Sequence, residues 1–301
     1  MTARARGLFV VGTEPRCGVT TIACGLAAAL QRRGQRVGVM KPVAVGCPLT
    51  PGDTPVVVGG IPGEQDAESV AALARLAELA GPPPATLVGP TPPEALDPAE
   101  SRRLLWAIGV TDPSPEQLQR TCPYRFAADL EPAAAARAAD TSVDPEVLRR
   151  RFESIAGESD VVVVDSAAGL MSPLTEDQLT IDLLQDLGLW VVLVAPSRSW
   201  SVLSPCLLAL AALESRHVSL AGIVLNRTQR RISPEEAVNP YQLEQRAGPV
   251  VRGILPFLTH EQLGDAEQLA RRVEVHLDLG GLLEGFQRQR LAGHRDLNSE
   301  A

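Results

Sequence analysis

The chain has 301 residues, of which 45% are hydrophobic, 21% charged and 3% aromatic. This composition is typical of a globular protein with a substantial core, and it excludes the collagen-like, disordered and membrane-spanning classes. Acidic residues outnumber basic ones by 36 to 28, and the net charge of -8 disfavours nucleic acids and anionic membranes as general partners.

The first elements along the chain follow a strand, turn, helix order. Leu8 to Val11 form a short apolar run that predicts a strand, and apolar residues at helical spacing from Thr20 to Arg33 predict an amphipathic helix. A second strand is predicted from Gln35 to Val43. It leads into a stretch rich in proline and glycine that reaches about Gly63.

The next region reads as an insertion. Asp66 to Ala80 and Ala99 to Ile108 have helical patterns, and Pro82 to Pro98 is a proline-rich linker between them. We therefore predict a single α/β domain over residues 1–301 in which residues 50–119 form a helical, proline-rich insertion. At ~150 residues per domain, the length also allows two domains. The pattern leaves open whether the insertion is a lid or an oligomer contact.

The second half of the chain alternates helices with buried strands. An alanine-rich helix and a helix from Pro145 to Ile155 precede four consecutive valines, Val161 to Val164, which end at Asp165. Further apolar strands are predicted at Trp190 to Ala195, Leu220 to Leu225 and Val250 to Leu258. Continuous apolar strands between helices predict a mostly parallel, doubly wound α/β sheet with helices on both faces and ligands at the carboxyl ends of its strands.

Cysteine usage and the amino terminus bear on the compartment. The five cysteines form no CxxC pair, and with four dispersed histidines they form no zinc pattern, so we expect reduced thiols. The apolar part of Met1 to Gly12 is short for a secretory signal, and no apolar run reaches ~18 residues. These features predict a cytoplasmic protein that neither spans nor binds a membrane.

The turn from Gly12 to Thr20 reads GTEPRCGVT and lies between the first strand and the first helix. It nearly matches the phosphate-binding pattern GxxxxGK followed by Ser or Thr, with Thr20 at the position of the Mg²⁺-binding hydroxyl. Val19 stands where that pattern has lysine and cannot neutralise phosphate charge. One hypothesis is that Arg16 supplies the missing cation, and its alternative is a solvated surface arginine. A glycine-containing turn without a ligand is the alternative for the whole loop.

Lys41 is the one lysine among 28 basic residues, and it follows the second predicted strand. Together with the Gly12 turn, several further segments resemble dethiobiotin synthetase in that family's order. They are VMKPV ending at Val43, CPYRF ending at Phe126, GLMSPL ending at Leu174, AGIVLN ending at Asn226 and GILPFL ending at Leu258.

The resemblance implies a P-loop NTPase-like ligase with a degenerate phosphate-binding loop. Members of that family use ATP and Mg²⁺ to close a ureido ring from diaminopelargonate and CO₂, and they form homodimers. Lys41 matches the lysine of the family's KPV motif, which implies that it stabilises the carbamate and the γ-phosphate. The alternative is a strand-end lysine exposed to water.

The resemblance also implies a nucleotide site and a metal site. The implied nucleotide-binding residues are Gly12, Thr13, Glu14, Gly18, Thr20, Thr21, Asn226 and Pro256. The Asn226 amide would read the adenine amino group, and the Pro256 backbone would lie beside the base. Asn226 is also a common turn residue. The implied Mg²⁺ ligands are Thr20, Asp165, which replaces the family's glutamate, and a further aspartate.

Two residues compete for that further aspartate. Asp66 lies in GIPGEQDA, which resembles the family's lead into a helix, whereas Asp97 has the more usual distance to Pro123. We favour Asp66 on its local pattern. Either side chain could instead cap its helix, as Asp165 could.

Three functions fit these patterns. The first is a working, divergent dethiobiotin synthetase, which the retained Lys41 favours. The second is a catalytically impaired pseudoenzyme of the same fold that binds a ligand or partner, which Val19 favours. The third is a MinD-like partner-binding ATPase, suggested by Asp165 and Gly169 and opposed by the CPYRF segment.

Overall fold

A computed structural model describes residues 7–49, 93–197, 202–231 and 234–284 of the chain. The predicted helix from Asp66 to Ala80 lies outside the described residues, as does most of the predicted linker from Pro82 to Pro98. Asp66, the aspartate favoured by the sequence pattern, also lies outside the described residues, so its role as a metal ligand stays a prediction.

The central sheet has six parallel strands in the order β2-β5-β1-β6-β7-β8. These strands are β1 (Gly7–Gly12), β2 (Val37–Met40), β5 (Val161–Asp165), β6 (Trp190–Pro196), β7 (Leu220–Asn226) and β8 (Val251–Leu255). The short strands β3 (Val43–Ala44) and β4 (Tyr124–Arg125) pair in parallel apart from it. The parallel α/β architecture predicted from the apolar runs is confirmed.

Two predicted strands are longer than the observed ones. The strand predicted from Gln35 to Val43 is interrupted, because the Lys41 N–H donates to the Thr121 carbonyl, 2.8 Å away, and Pro42 has no N–H to continue the ladder. The last strand ends at Leu255 because Pro256 follows it. The chain thus leaves the sheet directly at Lys41.

The helices pack on both faces of the sheet. They are α1 (Val19–Arg32), α2 (Ala99–Ala107), α3 (Pro115–Thr121), α4 (Pro132–Ala138), α5 (Pro145–Glu158), α6 (Thr180–Leu187), α7 (Leu203–Ser215), α8 (Pro234–Ala247), α9 (His260–Leu263) and α10 (Ala266–His276). Pro93–Ala95 form a 3₁₀ turn. None of the helices in the described part of the chain is long and apolar enough to cross a membrane.

The alternation of side chains along each strand divides the core in two. Leu8 and Val10 of β1 belong to a buried cluster with α1, α2 and α10, whereas Phe9 and Val11 belong to a cluster with α5, α6 and α7. Because both faces are covered, the strands carry apolar residues at every position. The order β2-β5-β1 places the carboxyl ends of these three strands side by side, which brings Gly12, Lys41 and Asp165 to one edge.

Candidate active site

The loop after β1 is fixed at both of its ends. The Thr13 N–H donates to the Val194 carbonyl at 2.9 Å, and the Asn226 Nδ2 group donates to the Cys17 carbonyl at 2.8 Å. Gly18 has φ of 96°, and a Cβ atom there would lie 2.1 Å from Asn226 Nδ2, so this position requires glycine.

The loop ends at the amino terminus of α1. Gly18 occupies the N-cap position, and no side chain caps the helix there. The first N–H groups of a helix are unsatisfied by the helix itself, and the helix dipole favours an anion beside them. This end of α1 can therefore bind phosphate through its backbone even though Val19 replaces the usual lysine.

Lys41 lies between two carboxylates. Its Nζ atom is 2.6 Å from Glu100 Oε2 and 3.1 Å from Asp165 Oδ2, and it donates to the Ser166 carbonyl at 3.2 Å. The Thr20 hydroxyl lies 2.9 Å from Asp165 Oδ2 and 3.2 Å from Glu100 Oε1. We call Lys41, Asp165, Glu100 and Thr20 the Lys41 cluster.

Burial and charge oppose each other in this cluster. Burial alone would lower the pKa of Lys41, which is 2% exposed, but the carboxylates of Asp165 and Glu100 outweigh it and raise that pKa above its ordinary value. Burial works to raise the pKa of Glu100, yet the Lys41 ammonium holds that pKa below its usual range. Lys41 is therefore protonated at neutral pH.

Asp165 differs from Glu100 because it is fully buried. Its burial raises the pKa of its carboxyl group, and the Lys41 ammonium offsets only part of this effect. Its Oδ1 atom is buried and has no hydrogen-bond partner. A buried oxygen without a partner is costly. The other carboxylate oxygen, Oδ2, is the one that contacts the Lys41 ammonium and the Thr20 hydroxyl.

The oxygen donors of the Lys41 cluster fit a hard divalent cation. Asp165, Glu100 and Thr20 offer two carboxylates and a hydroxyl, and Mg²⁺ is commonly held by one or two carboxylates with waters and substrate phosphates completing its shell. Within the described residues, no three or more His, Cys, Asp or Glu side chains gather as a metal cage. The arrangement suits a magnesium ion shared with a phosphate rather than a closed structural site.

A cavity of about 670 Å³ opens above the Lys41 cluster. Its walls are the loop after β1, the start of α1, residues 129–131 and residues 166–169. The predicted nucleotide residues that line it are Gly12, Thr13, Glu14, Gly18, Thr20 and Thr21, and Lys41 lines it as well. The structure thus brings most of the predicted phosphate-side residues to one cavity.

Glu100 is a site residue that the sequence analysis missed. It stands in the first turn of α2, where an acidic residue is ordinarily explained by the helix dipole alone. Asp97, three residues earlier, instead forms an ion pair with Arg102 at 2.6 Å and does not line the cavity. A carboxylate at the start of the helix predicted from Ala99 was the available signal.

Asn226 lies beside the loop after β1, and neither Asn226 nor Pro256 is in the cavity wall. Asn226 is buried at the end of β7 and pairs in register with Leu255, the residue before Pro256. Neither side chain lines the 670 Å³ cavity. Asn226 supports Cys17 and Gly18, and its contact with adenine stays a prediction.

A second polar group lies at the carboxyl ends of β6 and β7. Glu236 Oε2 accepts from the Ser197 hydroxyl at 3.1 Å and from Arg227 Nε at 2.7 Å. Asn239 Nδ2 donates to the Ser197 carbonyl at 3.0 Å, and the Ser197 N–H donates to the Asn226 carbonyl at 2.9 Å. We call Glu236, Ser197, Arg227 and Asn239 the Glu236 network.

The comparisons with known proteins agree with the resemblance in the sequence. The AAA domain family matches residues 6–111 and 110–263. An ATP-dependent dethiobiotin synthetase BioD of Anaeromyxobacter dehalogenans strain 2CP-C is 31% identical over 252 residues, covering 84% of this chain and 90% of that protein. The corresponding enzyme of Nitrosospira multiformis is 29% identical over 273 residues, covering 90% of this chain and 95% of that protein.

Two solved structures align with most of the chain. A ParA family ATPase from Chlorobium tepidum TLS has a TM-score of 0.45 and 15% identity, covering 91% of this chain and 93% of its own. The MinC:MinD cell division protein complex of Aquifex aeolicus has a TM-score of 0.44 and 17% identity, covering 89% of this chain and 86% of its own.

Proposed function

The chain belongs to the dethiobiotin synthetase family, and from this premise we propose that it is an ATP-dependent ligase that closes a ureido ring from diaminopelargonate and CO₂. The observation that carries the proposal is the position of Lys41. Its buried ammonium, the carboxylates of Asp165 and Glu100 and the Thr20 hydroxyl meet below one cavity at the helix terminus that can bind phosphate.

The reaction gathers negative charge at the Lys41 cluster. An amine that has taken up CO₂ and lost a proton is a carbamate anion, and its oxygen attacks the γ-phosphorus of ATP while ADP leaves. The second amine then attacks the carbamate carbon, the ring closes, and phosphate and a proton leave. A protonated Lys41 stabilises the charge that the carbamate oxygen and the γ-phosphate share during the first step.

The remaining residues of the site divide two tasks. Backbone N–H groups at the start of α1 bind the phosphates, and Gly12 and Gly18 allow the close approach of the loop. Thr20, Asp165 and Glu100 would hold Mg²⁺, which supplies positive charge beside the phosphates when bound. Asp165 does not line the cavity itself, and it would act from behind Thr20, whose hydroxyl lies 2.9 Å from Asp165 Oδ2.

The proposal is tested by coupled substrate dependence. Phosphate release from ATP is measured with Mg²⁺, bicarbonate and diaminopelargonate, and the ring product is identified by mass spectrometry. We expect phosphate release to require the diamine and to equal product formation. Diamine-independent release, or release without the ring product, would contradict the proposal. Sedimentation of the same sample tests the homodimer that we propose with it, and fractionation of producing cells tests the cytoplasmic location.

Val19 favours a second candidate, a pseudoenzyme that binds nucleotide without turnover. The Val19 side chain packs against the core on the α1 face, and it leaves no ammonium group at that position of the loop. ATP binding by calorimetry together with no phosphate release under any substrate combination would support this candidate over the ligase.

A further inference from the structure

We propose that Arg16 is the phosphate-binding cation of this site and takes the electrostatic role of the lysine that the loop lacks at position 19. The inference rests on the proposed function, because it assumes that a nucleotide triphosphate occupies the cavity. It assigns to Arg16 the β- and γ-phosphates specifically, since these are the groups that a P-loop lysine contacts.

The charges around the cavity point to Arg16. Among the described residues that line the cavity, Arg16 and Lys41 are the cations, and Glu14, Glu100, Asp129 and Glu131 are the anions. Lys41 is already paired with two carboxylates. Arg16 is exposed, and within the described chain no ion pair engages it. Of the two cations that line the cavity, Arg16 is the one that forms no ion pair with a carboxylate of the described residues, so it is available to a triphosphate.

The backbone at Arg16 supports the same assignment. Arg16 has φ of 60°, a left-handed conformation that is uncommon for a residue with a side chain. Asp140 and His217 share this conformation, but each follows the end of a helix, where it is a common helix ending. Arg16 lies inside the loop between β1 and α1, so no helix ending accounts for its conformation.

The loop holds Arg16 in place on the cavity wall. Thr13 and Cys17 are fixed by hydrogen bonds to Val194 and Asn226, and Cys17 is 1% exposed. The residues between them form a short arch whose ends cannot shift freely. A guanidinium on this arch can bind phosphate oxygens through two parallel N–H groups, which compensates for the apolar Val19 side chain.

The experiment measures binding of MgATP to the full chain by calorimetry. Arg16→Gln removes the charge. It keeps a long polar side chain and, like arginine, places a non-glycine residue in the left-handed conformation. We expect the Kd for MgATP to rise roughly 10- to 100-fold, while the Kd for AMP, which lacks the β- and γ-phosphates, stays within twofold. Arg272→Gln on α10 removes the same charge from an exposed position outside the cavity and is the matched control.

A second variant tests whether a cation at position 19 can replace Arg16. We expect the double variant Arg16→Gln, Val19→Lys to recover most of the lost MgATP affinity, because a lysine there restores the standard phosphate contact. An Arg16→Gln variant that binds MgATP as tightly as Arg272→Gln would overturn the inference. An equal loss for AMP and ATP would overturn it as well, since it would indicate a distorted loop.

Failure of the inference and of the proposed function can be told apart with inorganic tripolyphosphate. Arg16-dependent tripolyphosphate binding in a protein that forms no ureido product supports the role of Arg16 and contradicts the ligase. Ring formation at a rate and MgATP affinity that Arg16→Gln leaves unchanged contradicts the role of Arg16 and supports the ligase. Absence of binding to both MgATP and tripolyphosphate overturns both.

Discussion

The Lys41 cluster and the Glu236 network lie at the carboxyl ends of strands in the same sheet, and both bury charged side chains. In the Lys41 cluster one ammonium faces two carboxylates, and Asp165 Oδ1 has no hydrogen-bond partner. In the Glu236 network a single carboxylate oxygen accepts from both Ser197 and Arg227. The first borders the large cavity and the second does not.

This difference distinguishes a ligand-binding site from a network that fixes the positions of strands and loops. In the Lys41 cluster, Lys41, Glu100 and Thr20 line the cavity, where a ligand can reach them, whereas Asp165 is buried behind them. Buried groups that satisfy one another fix the relative positions of strands and loops. The Glu236 network reaches Asn226 through Ser197, and Asn226 in turn holds the phosphate loop.

Replacement of Lys41 by methionine should have the largest effect. In the proposed reaction, loss of the ammonium removes the charge that faces the carbamate and γ-phosphate, so we expect kcat/KM for the diamine-dependent reaction to fall by about 10³. Steady-state phosphate release measures it. Lys41→Arg, which keeps the charge and changes its geometry, is the control and should retain part of the activity. A methionine variant within tenfold of the unmodified protein would remove the Lys41 cluster from the chemistry.

Asp165→Asn should act on the metal dependence of the reaction. We expect the Mg²⁺ concentration for half-maximal activity to rise about 10- to 100-fold, since a charged ligand is lost. The substitution leaves the buried Lys41 ammonium with Glu100 as its remaining carboxylate partner in the cluster, so we expect Tm to fall, and the Mg²⁺ titration is made well below that Tm. An unchanged Mg²⁺ requirement would show that Asp165 is a structural partner of Lys41 alone.

Glu236→Gln should lower the stability of the protein and leave its activity nearly unchanged. The variant weakens the ion pair with Arg227 and the contact with Ser197, so we expect the free energy of unfolding to fall by about 1.5–3 kcal/mol. Urea titration with an unchanged m-value measures this loss. The value of kcat/KM should stay within threefold of the unmodified protein. A large loss of activity at unchanged stability would place the Glu236 network in the active site.

Asn226→Ala tests the link between the two regions and should have the smallest effect. Loss of its hydrogen bond to Cys17 loosens the phosphate loop, and we expect the KM for ATP to rise about 3- to 10-fold at nearly constant kcat. ATP and GTP are compared in the same assay. An equal rise for both nucleotides indicates support of the loop, whereas a rise for ATP alone supports the predicted contact with adenine.

The sheet could be predicted from the sequence because the burial of each strand is visible in the apolar pattern of its own segment. Continuous apolar runs such as Val161 to Val164 indicate a strand covered on both faces, and the alternation with helices predicts parallel pairing. Lys41 and Asp165 could be placed together because both follow strands of such a sheet. The interruption after Met40 depends on a hydrogen bond to Thr121, eighty residues along the chain, which no local pattern contains.

The parts of the site that the sequence analysis missed depend on packing between distant segments. Glu100 reaches Lys41 because α2 packs on α1 and β2, and its own sequence context is that of an ordinary helix start. Asp97 also lies at the start of this helix in the sequence, yet it pairs with Arg102 instead. The two acidic residues differ in their partners, Lys41 for Glu100 and Arg102 for Asp97, a difference that spacing alone does not encode.

The Lys41 cluster joins segments that are far apart along the chain. Lys41 and Asp165 are 124 residues apart, and the Asn226 contact that steadies the loop spans 209 residues. Contacts between such distant segments carry a large entropic cost of closure and form slowly. We therefore expect a refolding or newly synthesised chain to gain nucleotide affinity only after β5 has paired with β1 and β7 with β6. A fluorescent ATP analogue would then report the final assembly steps.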